Sequence, residues 1–118
     1  MYSPQLLNHF QHPRNVGTLA HPDASARVEN PACGDVLELS VKVSAGVIEE
    51  VRFSALGCVA AMACGSALTE LVQGHSLAEA SRLTREDLVR AVGGLPPSAG
   101  HASHLALDTL RAALSQII

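Results

Sequence analysis

Residues 36–56, VLELSVKVSAGVIEEVRFSAL, decide the fold, because apolar and polar side chains alternate on both sides of a short turn. Alternation with a period of two is the pattern of a β-strand that buries one face. The letters SAG at 44–46 predict the turn, with a glycine that can adopt positive φ. Val51, Phe53 and Ala55 are expected on the buried side of the second strand. The stretch therefore predicts an antiparallel hairpin.

A short helix is predicted before the hairpin. Ser3 followed by Pro4 is typical of an N-cap with proline at the first helical position, and the helix should end before Pro13. Residues 15–35 are rich in Gly, Pro, Asn and Asp and should be mostly loop, with a short strand at about 26–29. The apolar side chains expected on one face of the helix are Leu6, Leu7 and Phe10.

Further helices are predicted after the hairpin. The first runs from 57 to about 73 and stops at Gly74, and Ser76 and Thr84 are typical N-caps of two brief helices. The last helix runs from about 101 to 117. This order predicts an α+β fold, in which a small antiparallel sheet carries helices packed on one face. The apolar stripe of the last helix is Leu105, Ala106, Leu110, Ala113, Leu114 and Ile117.

Composition limits the size and the class of the protein. A chain of 118 residues with 47% apolar side chains predicts a single domain over residues 1–118. A net charge of −3 with only 8 scattered Lys and Arg residues argues against nucleic-acid binding. No stretch approaches the roughly 20 consecutive apolar residues of a membrane span, and no leader pattern opens the sequence. A cytoplasmic protein is expected.

Three cysteines, Cys33, Cys58 and Cys64, are too few and too far apart for a disulfide framework. Cys33 and Asp35 lie in NPACGD at 30–35, where a curled loop would bring thiolate and carboxylate to one zinc or iron ion. The competing interpretation is a lone loop cysteine beside a Gly-Asp turn. The motif alone leaves both interpretations open.

The second candidate position is the junction of the hairpin with the following helix. Cys58 is expected at the helix N-terminus, where unpaired N–H groups and the helix dipole stabilise a thiolate. Cys64 follows six residues later, about 240° further round the helix, and does not share that face. We expect Cys64 to be a buried packing residue.

The third candidate position is the start of the last helix, where His101 and His104 lie three residues apart. Two isolated histidines on a polar face are more often solvent-exposed than ligands, and Asp108, Arg111 and Ser115 share this face. The cysteine motifs alter that interpretation. Two sulfurs, one carboxylate and one imidazole make a four-ligand metal set consisting of Cys33, Asp35, Cys58 and one histidine.

These motifs resemble the IscU/NifU-type iron–sulfur cluster assembly scaffolds over nearly the whole chain. The matching stretches are YSPQLLNHFQHPRNVGTL, NPACGDVLELSVKV, GCVAAMACGSALTELVQGHSLAEA and LPPSAGHASHLALDTL. The spacing between the last two is similar to that of ISC-type chains. The resemblance implies a scaffold, not an enzyme, that receives sulfur from a cysteine desulfurase and iron from an iron donor. It would assemble a labile [2Fe–2S] cluster and pass it to apo iron–sulfur proteins.

The resemblance also implies the ligands and the state of the protein. Cys33, Asp35, Cys58 and His101 fall on the family's ligand positions, where members bind iron or zinc, and a monomer or weak homo-oligomer is expected. A carboxylate among sulfur ligands would hold a cluster loosely. His104 is a further candidate metal ligand that could replace a missing one.

The sequence departs from the family pattern at three places. Ala102 stands where the family has a third ligand cysteine that also accepts persulfide, and Cys64 stands where a serine is usual. The chaperone-docking stretch is LPPSA at 95–99 instead of LPPVK, which makes docking of the dedicated chaperone doubtful. One alternative is therefore a degenerate zinc-binding member that regulates or docks to a cysteine desulfurase without building clusters. Another is a relay that carries persulfide on Cys33 or Cys58.

Overall fold

The computed structural model describes residues 1–118 and contains a three-stranded sheet with five α-helices. The predicted α+β class is confirmed. None of the helices combines the length and the apolar character that crossing a membrane requires. The strands are β1 (Ala24–Glu29), β2 (Val36–Ser44) and β3 (Val47–Leu56). The helices are α1 (Pro4–Gln11), α2 (Val59–Val72), α3 (Leu77–Ser81), α4 (Arg85–Ala91) and α5 (His101–Leu114), with a 3-10 turn at Pro97–Ala99.

The sheet is antiparallel in the order β1-β2-β3, and the predicted hairpin forms β2 and β3. Its turn places Ala45 and Gly46 at φ 52° and 76°, as expected for a two-residue turn whose twist matches that of the strands. The sequence predicts the glycine of this turn but not the positive φ of Ala45. A register shift after Lys42 brings Ile48 to the buried side with Val51, while Ala55 is only half-buried.

Helices α2 and α5 pack against the sheet, and α2 also contacts α1 and α4. Gly65 of α2 lies so close to the sheet that a Cβ there would be 2.6 Å from Cδ2 of Phe53. Glycine therefore permits the close approach of helix and sheet. The largest fully buried side chains come from the sheet and from four of the helices: Leu6, Leu37, Leu39, Ile48, Leu68, Leu88, Leu110, Val41, Val51 and Val72.

Helix α1 begins as predicted, because the Ser3 side chain accepts a hydrogen bond from the N–H of Leu6. The prediction that Leu7 lies on the buried face is wrong, since Leu7 is 37% exposed. His9 takes the inner position instead, with Nδ1 2.8 Å from Oγ of Ser66. Burial and the nearby Arg14 lower the pKa of His9 below its ordinary value, so the ring is neutral at pH 7.

The capping predictions for α3 and α4 are confirmed, with capping boxes at Ser76 and Thr84. Helix α5 ends at Leu114, three residues before its predicted end, and β1 begins at Ala24, two residues before its predicted start. The predicted stripe of α5 is buried except at Ile117, which is half-buried. His101, the first residue of α5, lies close to the residues that follow β3, with its Nε2 3.8 Å from Sγ of Cys58.

Candidate metal centre

Three separate segments meet at one end of the sheet. Val36 pairs with Leu56 in the β2–β3 register, so the residues just outside this pair, Asp35 and Gly57, lie next to each other. Cys58 follows as the N-cap of α2, and His101 opens α5. The antiparallel pairing thus joins two motifs that are more than twenty residues apart in sequence.

The NPACGD loop curls, as the metal-site interpretation required. Asn30 closes the loop, because its N–H donates to the carbonyl of Asp35 at 2.7 Å and its carbonyl accepts from Gly34 at 2.8 Å. The Asn30 side chain also accepts from the N–H of Ala32 at 2.9 Å. The ligand atoms of Cys33, Asp35 and His101 all lie within 4.8 Å of one another.

Asp35 is the central polar group of this centre and is only 4% exposed. Its Oδ1 accepts from the N–H of Cys58 at 3.1 Å, and its Oδ2 accepts from the thiol of Cys58 at 3.2 Å. Nε2 of His101 lies 3.2 Å from Oδ2. Burial raises the pKa of Asp35, but hydrogen bonds from Cys58, Cys33 and His101 outweigh it and lower the pKa. Asp35 is therefore ionised, and Nε2 of His101 is the donor.

Gly57 makes room for this carboxylate. Its φ is +137°, and a Cβ at this position would lie 2.0 Å from Oδ1 of Asp35. Only glycine avoids both the backbone strain and the collision. Sequence reasoning overlooked Gly57, although a glycine between the end of a strand and an N-cap cysteine was the available signal.

Cys58 is a neutral thiol in this arrangement. Its Sγ accepts from the N–H of Ala61 at 3.4 Å and lies 3.8 Å from Nε2 of His101. Burial and the adjacent Asp35 raise the pKa of Cys58 despite the helix N–H groups. The expectation of a stabilised thiolate is therefore wrong for the metal-free protein, because burial and a neighbouring carboxylate exceed the effect of the helix terminus. A bound metal ion would displace the thiol proton.

The other candidate residues lie outside the centre. Cys64 is fully buried, as predicted, and burial raises its pKa to about 12. His104 is exposed on the polar face of α5 and does not join the ligand atoms that converge at Asp35. Ala102 is 1% exposed, and its methyl group carries no ligand atom.

The model of the protein family named NifU-like N terminal domain matches residues 1–117 of the chain. The chain belongs to this family. Relatives of this NifU-like chain include the iron–sulfur cluster assembly scaffold protein IscU 1 of Archaeoglobus fulgidus, which is 43% identical over 97% of this chain and 74% of its own length. The scaffold protein IscU of Escherichia coli (strain K12) is 42% identical over 97% of this chain and 91% of its own length.

A solved structure agrees with the fold of this NifU-like chain. The N-terminal NifU-like protein from Brucella abortus superposes with a TM-score of 0.79 at 22% identity, covering 98% of this chain and 92% of that one. This likeness confirms the fold. The membership in the family confirms the resemblance detected in the sequence motifs.

Proposed function

We propose that this chain is an iron–sulfur cluster assembly scaffold that builds a labile [2Fe–2S] cluster and transfers it to apo-proteins. The observation that carries the proposal is the convergence of Cys33, Asp35 and His101, whose ligand atoms lie within 4.8 Å of one another. The Sγ of Cys58 lies 3.2 Å from Asp35 and 3.8 Å from His101. The names of the IscU relatives point to the same activity. Holding and releasing a cluster requires no catalytic group, so we propose a scaffold and not an enzyme.

The candidate ligands differ in exposure and therefore in the role that we propose for each. Cys33 is exposed on its loop and can meet incoming iron or sulfur, whereas Cys58 is half-buried. Asp35 accepts the hydrogen bond of the Cys58 thiol in the metal-free protein and offers an oxygen ligand once the metal arrives. Oxygen is a weaker partner than thiolate for cluster iron, so a cluster with this carboxylate should leave readily.

Zinc binding with desulfurase regulation is the second candidate function, and Ala102 favours it. Because the buried methyl group cannot bind metal, the remaining donors are two sulfurs, one nitrogen and one oxygen. This set fits a closed tetrahedral zinc site. The metal bound in the purified protein, iron or zinc, therefore distinguishes the two candidate functions.

The partners we propose follow from the scaffold function: a cysteine desulfurase, an iron donor and apo iron–sulfur proteins in the cytoplasm. We propose a monomer or weak homo-oligomer of the single domain, residues 1–118. Docking of the dedicated chaperone should be weak. The stretch LPPSA ends in the 3-10 turn Pro97–Ala99, and Ala99, where the family has lysine, is buried.

Anaerobic reconstitution with iron and sulfide tests the scaffold function. The wild-type chain should show visible absorption and Mössbauer spectra of a [2Fe–2S] cluster, and Cys33→Ser and Cys58→Ser should each lose most of it. Cys64→Ser is the matched control, because that thiol is buried outside the centre and the variant should keep the wild-type yield. A colourless wild-type protein without bound iron would contradict cluster assembly.

Restoring the missing thiol separates the two candidate functions. Ala102→Cys should raise the cluster yield and add a site for persulfide, which mass spectrometry detects after incubation with a desulfurase and cysteine. One zinc per chain as purified, a changed desulfurase rate and no cluster would instead support the regulator.

A further inference from the structure

Arg85 joins the start of α4 to the start of α5. It is the first residue of α4, and its side chain is half-buried. Its Nη2 would lie 3.2 Å from a Cβ at Gly100, the residue before His101. The guanidinium therefore lies against the backbone that presents a ligand of the metal centre, and the absence of a side chain at Gly100 leaves it room.

The charge of Arg85 has no partner in the protein. The arginine ion pairs of the chain belong to Arg14, Arg27 and Arg90, and Arg85 forms none. Its Nε is buried without a hydrogen-bond acceptor. Burying a donor without an acceptor is unfavourable, and a guanidinium cannot escape this cost by losing its proton. The complement to such a group is an anion.

The neighbourhood of Arg85 contains sulfur and lies beside the metal centre. Burial raises the pKa of Cys64, the positive charge of Arg85 acts to lower it, and a thiolate at Cys58 would act to raise it further. The guanidinium therefore lies within electrostatic reach of the buried thiol of Cys64. No acidic side chain of the chain forms an ion pair with Arg85, so its charge is not neutralised within the protein.

We propose that Arg85 binds the anionic sulfur that supplies the metal centre, either hydrosulfide or the terminal sulfur of a persulfide. This inference rests on the proposed scaffold function, which requires sulfide to reach Cys33 and Cys58. Alanine at position 102 cannot carry sulfur covalently, and a guanidinium near His101 holds an anion without forming a covalent bond. Arg85 is thus a positioning residue and not a metal ligand.

Titration of the metal-free full-length chain, followed by NMR under anaerobic conditions, tests this binding. The probes are sodium hydrosulfide and glutathione persulfide at mildly alkaline pH, and the reporters are the backbone N–H of Gly100 and, in wild type, Nε–H of Arg85. We expect saturable chemical-shift changes of these N–H groups with one probe or with both. Comparing the two titrations identifies whether hydrosulfide or a persulfide is the sulfur source. Arg85→Gln should weaken binding at least about tenfold, and Arg85→Lys should retain part of it.

Arg90→Gln is the matched control, because Arg90 lies on the same helix, is exposed and pairs with Asp87. It should bind both probes as wild type does. Sodium acetate is the competing anion. Equal shifts with acetate would assign the position to a carboxylate and overturn the sulfur proposal, as would unchanged sulfur binding in Arg85→Gln.

Zinc affinity of the same variants distinguishes this inference from the scaffold function itself. Arg85→Gln should bind zinc as wild type does, and a parallel loss of zinc would show that Arg85 only supports the fold. Sulfur binding at Arg85 in a chain that never builds a cluster would refute the scaffold function alone. Normal cluster formation together with absent anion binding would refute the role of Arg85 alone.

Discussion

Replacing Gly57 with alanine tests whether the metal centre depends on a close approach of backbone to carboxylate. Two separate costs are expected. The first is backbone strain, because a φ of +137° is one that side chains rarely adopt. Such strain costs about 1–3 kcal/mol.

The second cost is the displacement of Asp35. A Cβ at Gly57 would lie 2.0 Å from Oδ1 and 2.6 Å from Cγ of Asp35, and the Asp35 Cα at 3.0 Å limits any retreat. Moving the carboxylate breaks its hydrogen bond from the N–H of Cys58, and a hydrogen bond to a charged group contributes about 1.5–3 kcal/mol. Gly57→Ala should therefore lower the free energy of unfolding by about 2.5–6 kcal/mol in total.

Gly17→Ala is the matched control for strain, because Gly17 has a φ of +130° and no atom lies within 4 Å of the position that an alanine methyl group would take. It should lose only the strain contribution, about 1–3 kcal/mol. Urea unfolding of both metal-free variants gives the difference in the free energy of unfolding. Zinc titration gives the functional difference: Gly57→Ala should bind zinc roughly 30-fold more weakly if about 2 kcal/mol of carboxylate contact is lost.

Two results would refute this reasoning. Equal destabilisation of the two variants would show that the methyl group at position 57 meets no fixed carboxylate. Wild-type zinc affinity in Gly57→Ala would show that Asp35 is not held in place by this approach, or is not a ligand.

Three further predictions concern packing, pH and metal. Gly65→Ala should destabilise the chain by about 1–3 kcal/mol in urea unfolding, because its methyl group would meet the Phe53 ring at 2.6 Å; wild-type stability would contradict this packing. The pKa of His9 is lower in the folded protein than in the unfolded chain, so the unfolded chain binds more protons than the folded protein below pH 6.5. The free energy of unfolding present at pH 7 should therefore fall as pH drops from 6.5 through the native pKa. His9→Gln should flatten that decline, whereas the exposed control His12→Gln should not. Zinc at 100 times the wild-type Kd should raise the free energy of unfolding by about 2.7 kcal/mol, and a chelator should reverse this gain. An equal gain in Cys33→Ser at the same zinc concentration would exclude Cys33 as a ligand.

Much of the fold follows from local patterns. Alternation in 36–56 predicts the hairpin, and the cap residues Ser3, Ser76 and Thr84 predict helix starts that the structure confirms. Helix faces are less certain from sequence alone. The apolar pattern of α1 predicts that Leu7 is inside, yet His9 is inside, because a hydrogen bond to Ser66 on another helix makes burial of the imidazole favourable.

The sequence by itself determined the candidate donors: Cys33, Asp35, Cys58 and His101 are residue types that bind zinc or iron. Only the tertiary structure decided their protonation states and which residues surround them. Burial, together with the neighbouring Asp35, raises the pKa of Cys58, an effect of packing between distant segments. The positions of Gly57 and Arg85 also depend on the tertiary structure. Gly57 lies against Asp35 and Arg85 lies against Gly100, and both pairs are distant in the sequence.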